Sequence, residues 1–322
     1  MPTDIQVPKA TTALVCNAGE LQLTQAPLRP LGPGEILVDV TALGLCRTDL
    51  YAINGKIETA ANRFIPGHEF AGIVAETNST KYSQENEFEI GDRVVVNPVI
   101  SCGVCIDCES DKSHLCSQAQ FMGVDLDGAC CDQVIVSTAN VFPIPDNLSC
   151  AEAAFAEPVA ATLAILNANI SPELSGLIVG ESRISILAQR VLSACGFANI
   201  SILSLQKART LSPSQFDFVI ETDATTQVIA EMARLVRPRG KLILKSRQHR
   251  PFEIQLLNFI RKEPTISIVN YGPFSLAVQL LAEGKVKVDD LIGQKFPLSE
   301  FELAFKAASA HESKKIFLIP GS

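Results

Sequence analysis

The chain has 322 residues, 47% of them apolar and 19% charged, with no tryptophan and a formal net charge of −8. That length suits two domains and a large core. A mildly acidic balance without a basic run excludes nucleic acid and anionic membrane surfaces as partners, and no segment reaches the roughly eighteen uninterrupted apolar residues of a membrane span.

The opening M-P-T-D-I-Q-V-P-K-A has no apolar core of the signal-peptide kind. Ten cysteines in such a chain point to a reducing compartment, so the cytoplasm is the expected location. Residues 10–145 carry short β-type runs divided by Gly and Pro: Glu35–Val40, Gly72–Ala75, Arg93–Val96, Asp132–Val136 and Val141–Ile144. Pro33-Gly34 and Gly91-Asp92 mark turns between them. Ser149 with Glu152 forms a capping box that opens a helix, and Pro158 is expected to kink or restart it near Glu157.

From Ser175 strands and helices alternate. The pattern predicts strand Leu177–Gly180, helix Ile184–Cys195 ending at Gly196, and strands Ile200–Leu205 and Phe216–Glu221. Helix Thr226–Val236, strand Lys241–Lys245, helix Phe252–Arg261, strand Thr265–Tyr271 and helix Phe274–Glu283 follow. Alternation of this kind means a doubly wound parallel sheet. A helix over Leu298–Ala308 and a strand over Lys315–Ile319 close the chain and are expected to return to the first domain. The expected domains are 1–157 with 290–322, and 158–289.

Cys102, Cys105, Cys108 and Cys116 form a C-x2-C-x2-C-x7-C cluster, a spacing that wraps four thiolates around one metal. Zinc suits a closed all-cysteine cage. A disulfide framework belongs to short secreted chains. Bacterial ferredoxin clusters close with C-x3-C-P, whereas the last gap here is seven and Ser117 follows. A second group is less local: Cys46 in G-L-C-R-T-D, His68 in P-G-H-E-F-A-G and Glu157 in A-E-P-V-A. Sulfur, imidazole and carboxylate are zinc ligands, and three of them leave a position open, as in catalytic sites. Taken singly, each also fits a core thiol or a satisfied polar side chain.

In order along the chain, P-G-E-I-L-V, G-L-C-R-T-D, P-G-H-E-F-A-G-I-V, G-D-R-V, the four-cysteine lobe, D-G-A-C-C-D-Q-V-I-V, A-E-P-V-A, R-P-R-G-K-L-I-L-K-S and F-P-L-S-E-F-E-L-A-F resemble the zinc-dependent alcohol dehydrogenases of the medium-chain dehydrogenase/reductase superfamily. The A-E-P-V-A segment is similar to the polyol and threonine dehydrogenase branch. The resemblance implies an α/β protein: a β-rich GroES-like catalytic domain and a Rossmann sheet. It implies two zincs per subunit, one held by Cys46, His68 and Glu157 with Glu69 as an alternating carboxylate, the other by the four-cysteine lobe. Asp49 would hydrogen-bond the far nitrogen of His68. Thr48 would contact the substrate oxygen and relay its proton, and Arg47 would meet the cofactor pyrophosphate. Tyr51 stands where some relatives carry a relay His. Hydride transfer between a small-molecule alcohol (polyol, sugar or amino alcohol) and NAD or NADP would follow, with zinc as Lewis acid. The family also implies a homodimer or homotetramer through the strand Thr265–Tyr271.

The cofactor half departs from the pattern. The G-x-G-x-x-G fingerprint reads Gly180-Glu181-Ser182-Arg183-Ile184-Ser185, so two glycines are serines and a carboxylate lies near the expected diphosphate. The next strand ends at Ser204 instead of an acid, with Lys207 and Arg209 nearby, which favours the phosphate of NADP. Only ten residues separate Leu205 from Phe216, too few for the usual helix, edge strand and helix. The sheet is therefore expected to lack its outer third strand, in the order 2-1-4-5-6. The altered glycine turn also leaves open a zinc-binding relative that has lost the dinucleotide and acts as a non-redox or regulatory protein.

Overall fold

The computed structural model describes residues 9–78, 88–110, 112–247, 249–310 and 313–321. Residues 1–8, where most of the N-terminal signal-type reading falls, lie outside the described residues. The chain divides into two compact units, Met1–Ala156 with Ile292–Ser322, and Glu157–Leu291.

The first unit is β-rich. Strand Glu35–Gly44 lies at its centre, antiparallel to Glu69–Thr77, Gln133–Ser137 and the last strand, Lys315–Ile319. Arg93–Val96, Val141–Pro143 and Ile292–Pro297 complete the seven-stranded sheet. Glu20–Pro27, Ala10–Asn17 and Arg63–Phe64 form a smaller sheet. Leu14, Ile36, Val38, Leu43, Phe70 and Leu318 build the shared core. The Ser149–Glu152 capping box is present, with Glu152 Oε2 accepting from Ser149 N at 2.9 Å. The helix it opens ends at Ala153, and a new one runs over Ala156–Leu163 with Pro158 in its first turn, where the missing N–H does no harm.

The second unit holds a five-stranded parallel sheet ordered Ile200–Leu203, Gly176–Val179, Phe216–Glu221, Val236–Leu244 and Thr265–Ile268. This is the doubly wound order with the outer third strand absent. Leu177, Val179, Val219 and Leu242 face one apolar cluster, and Ile178, Phe218, Ile220 and Ile243 the other, so both sheet faces are covered.

Several elements are shorter than the pattern predicts. Strand Ile200–Leu203 stops early because Ser204 caps a helical turn over Leu205–Ala208, its Oγ accepting from Lys207 N at 3.4 Å. That turn is all the shortened connection holds. Helix Phe252–Arg261 reduces to Leu257–Ile260: Glu253 N instead donates to Thr226 Oγ1 at 3.0 Å, and Leu256, Leu257 and Ile260 are exposed. Strand Thr265–Ile268 ends with its partner, Lys241–Leu244.

Candidate active site and metal centres

The four lobe thiols converge. Cys105 and Cys108 Sγ lie 3.5 Å apart, Cys116 and Cys102 Sγ 3.6 Å, and Cys102 and Cys108 Sγ 3.9 Å. Four sulfurs about 2.3 Å from a tetrahedral zinc stand about 3.8 Å apart, so this cage fits that ion. All four cysteines are free. Hydrogen bonding from Ser101 holds the Cys108 thiol down at about 6. The backbone N–H of Val104 likewise lowers Cys102; at Cys105 the backbone N–H of Cys108 pulls down, but the Cys108 sulfur, desolvation and the other two sulfurs outweigh it and push that thiol up to about 11. A cation would draw the remaining protons off.

The second cluster is buried in the first unit. Cys46 Sγ, a nitrogen of His68 and a carboxylate oxygen of Glu69 lie within 4.8 Å of one another. Cys46 is the N-cap of the helix Arg47–Ile53. Asp49, one turn on, accepts from Cys46 N at 2.8 Å and from Gly67 N at 3.1 Å. The same carboxylate lies 3.0 Å from His68 Nδ1. One aspartate thus ties the cysteine turn to the histidine loop and fixes the imidazole tautomer. Both ring nitrogens are buried without a hydrogen bond of good geometry among the described residues, and Nε2 is the one that does not face Asp49. A buried imidazole nitrogen beside a thiol and a carboxylate is a donor set suited to zinc. Burial alone would raise the Cys46 thiol; His68 and then Lys315 outweigh it and bring it down to about 5. The site favours the thiolate that a divalent cation requires.

Lys315 was not legible in the sequence as a site residue. It is fully buried, pairs with Glu69 Oε2, and lies 5.6 Å from the centroid of the Phe155 ring. A lysine opening an apolar strand, K-I-F-L-I, gives no hint of a carboxylate 246 positions away. Phe121 was also missed. Its ring stands 5.0 Å from that of His68, tilted by 58°.

Thr48 is half-buried on the same helical turn, its Oγ1 3.6 Å from Cys46 Sγ. Arg47 is the first residue of that helix. Glu157 belongs to the second unit, buried in the first turn of Ala156–Leu163. In that unit Gly180 follows the first strand with φ +145°, a conformation for glycine. A Cβ there would run into Thr222 Oγ1 and stand 2.9 Å from Ser185 Oγ. Ser182 is the N-cap of the helix Arg183–Ala194. Ser185 is fully buried, and its hydroxyl meets Thr222 Oγ1 at 2.8 Å, so the third glycine is replaced by a satisfied polar contact. Ser204 is buried at the end of its strand, while Lys207 and Arg209 are exposed. Arg209 Nη2 donates to Gln227 Oε1 at 3.1 Å.

Residues 32–146 match the alcohol dehydrogenase GroES-like domain. The chain is 27% identical to a sorbitol dehydrogenase of Bacillus subtilis (strain 168), over 96% of each chain. It is 26% identical to an L-threonine 3-dehydrogenase of Bacillus velezensis, over 94% of this chain and 96% of that protein. Over nearly its whole length the chain is thus similar to alcohol and polyol dehydrogenases, and it carries their GroES-like domain. Its fold matches a zinc-binding dehydrogenase from Sinorhizobium meliloti 1021 solved with NADP, at TM-score 0.85 and 22% identity, covering 97% of this chain and all of that one. Among the described residues no helix is long and apolar enough to cross a membrane.

Proposed function

We propose that Cys46, His68 and Glu69 hold the reactive zinc and that Cys102, Cys105, Cys108 and Cys116 hold a second, structural one. The enzyme interconverts an alcohol and a carbonyl compound by hydride transfer with NAD or NADP. The observation that carries the site reading is the convergence of Cys46 Sγ, a nitrogen of the buried His68 and a carboxylate oxygen of Glu69 within 4.8 Å of one another. When bound, zinc supplies a Lewis acid to the substrate oxygen, and the nicotinamide supplies the hydride acceptor or donor.

The chain's own residues do the rest. Asp49 keeps the His68 proton on Nδ1 and leaves Nε2 free to ligate. Lys315 takes one oxygen of Glu69 and offsets its charge, leaving Oε1 for the metal. Thr48 Oγ1, beside Cys46, would relay the proton of the substrate hydroxyl, accepting it while passing its own hydroxyl proton on to solvent, as hydride passes from the adjacent carbon to the nicotinamide. Glu69 is the carboxylate that stands within 4.8 Å of Cys46 and His68, and Glu157 is kept as a further carboxylate ligand. For the cofactor we assign Gly180 and Ser182 to the pyrophosphate. Ser204, Lys207 and Arg209 go to the adenine ribose, with NADP favoured because Ser204 replaces the acid that grips a free ribose hydroxyl. Polyols, sugars and amino alcohols are the substrate class that the sorbitol and threonine dehydrogenase relatives support.

A second copy is assigned to the edge strand Thr265–Ile268, where Ile266 and Ile268 are 44% and 82% exposed, giving a homodimer or homotetramer. Ten free cysteines support a reducing compartment, the cytoplasm. Cys46→Ser is expected to lose one of two zincs and all turnover while NADPH still binds. Full activity in that variant would overturn the site assignment. Light scattering of Ile268→Asp tests the edge: an unchanged mass would refute it.

A further inference from the structure

The four-cysteine lobe is an excursion, residues 101–119, closed at its base by a ladder of two residue pairs, Val99 with Phe121 and Ile100 with Gln120. So short a hairpin does not hold itself together, and closing so long a loop opposes it entropically. The thiols sit where they can help. Cys102 follows the first strand by two residues. Cys116 reaches towards the second, its carbonyl accepting from Ala119 N at 2.9 Å and its sulfur from Gln118 N at 3.3 Å. A cation that ties Cys102 to Cys116 removes the loop from the ladder.

The strand leaving the lobe runs straight onto the reactive histidine. Phe121 lies against the His68 ring, and Met122 N donates to Pro98 O at 3.0 Å. Gly123 packs backbone to backbone on Gly67: a Cβ at 123 would stand 2.9 Å from Gly67 N and O. Further on, Gly128 N donates to Ile65 O at 2.6 Å, Ala129 N to Gly67 O at 3.0 Å and Cys130 N to Pro66 O at 2.9 Å. The loop that presents His68 is therefore gripped along its length by the segment leaving the lobe. Asp49 holds the imidazole through Nδ1, independently of the lobe; Phe121 holds it through a residue of the lobe's own ladder. Cys46 and Glu69 rest on other elements, the helix Arg47–Ile53 and the strand Glu69–Thr77.

We propose that metal in the four-cysteine lobe sets the metal affinity of the Cys46–His68–Glu69 site, with Phe121 as the positioning residue that transmits the effect. The inference rests on the metal reading of both sites given above. It makes the half-buried lobe thiols a control point: any agent that strips the lobe also loosens the reactive metal, though it touches none of that metal's ligands.

Cobalt titration of metal-stripped full-length protein, followed by visible absorption, tests this. The four-thiolate lobe gives intense sulfur-to-metal bands, and the one-thiolate site weaker, distinct ones. Phe121→Ala is expected to leave the lobe bands and their midpoint unchanged. It should weaken cobalt at the second site about 10- to 100-fold, the usual effect of losing a group that orients a ligand. Phe121→Tyr should restore it. Cys105→Ser should abolish the lobe bands and weaken the second site to a similar degree. A second-site affinity within twofold of wild type in Phe121→Ala, or in Cys105→Ser, overturns the coupling. If wild type shows the lobe bands alone and Cys46→Ser changes nothing, the reading of the second site fails, and the coupling with it.

Discussion

Lys315→Met is the sharpest probe of the buried charge in the first unit. Lys315 is fully buried, Glu69 nearly so, and the two are joined. Removing one member of such a pair leaves an unpaired buried charge and costs about 3–5 kcal/mol. Methionine keeps the length of the side chain and its contact with the Phe155 ring, so the lost charge dominates the effect. For a unit of this size that destabilisation lowers Tm by about 6–20 °C. The measurement is a thermal melt of metal-stripped protein. Adding zinc should narrow the gap, because the metal then offsets the Glu69 charge. In the double variant Lys315→Met/Glu69→Leu the melt should recover most of the loss, since an apolar pair of similar volume is tolerated where half an ion pair is not. A metal-free Lys315→Met melting within about 2 °C of wild type, or a double variant less stable than the single one, would refute the reasoning.

Two further outcomes follow from the second unit. Gly180→Ala must hold φ +145° and drive a Cβ into Thr222 Oγ1 and to 2.9 Å from Ser185 Oγ, so the turn proposed for the dinucleotide is strained by about 1–3 kcal/mol; fluorescence titration should show NADPH binding weakened about tenfold or more, and unaltered binding would separate this turn from the cofactor. Glu221 is fully buried, with Oε1 accepting from Lys245 N at 2.8 Å and Ser246 N at 2.9 Å, and burial raises its carboxyl above the ordinary 4.5. A raised folded-state value means that its contribution is present below 4.5 and is lost as pH rises through the folded value. Urea unfolding should therefore show wild type losing stability relative to Glu221→Gln as pH rises from that point, and parallel profiles would contradict it.

What the sequence disclosed and what it withheld divide by range. The lobe was readable because four thiols within one short segment must meet whatever the rest of the chain does. The same holds for the Ser149–Glu152 box and for the helix stop at Gly196, where φ is +93°. Phe216–Glu221 was readable because a central parallel strand carries a continuous apolar run, here Phe218–Ile220. The predicted helix Phe252–Arg261 failed for the converse reason. Its periodicity is sound, but Leu256, Leu257 and Ile260 find no core among the described residues, and helices of this length depend on such packing.

Lys315 and Phe121 show the deeper limit. Neither residue carries a local signal, since a lysine at a strand start and a phenylalanine after a loop are ordinary. Each acquires meaning only through a pairing that sheet topology creates. The strand Lys315–Ile319 lies antiparallel to Glu35–Gly44, with Phe317 opposite Gly44, and Gly44 in turn faces Glu69 on the next strand. That register carries the lysine to the carboxylate. The ligands of such a site can be guessed from short motifs. The groups that hold those ligands in place, and so decide whether a metal binds tightly, come from strands whose partners only the folded sheet reveals.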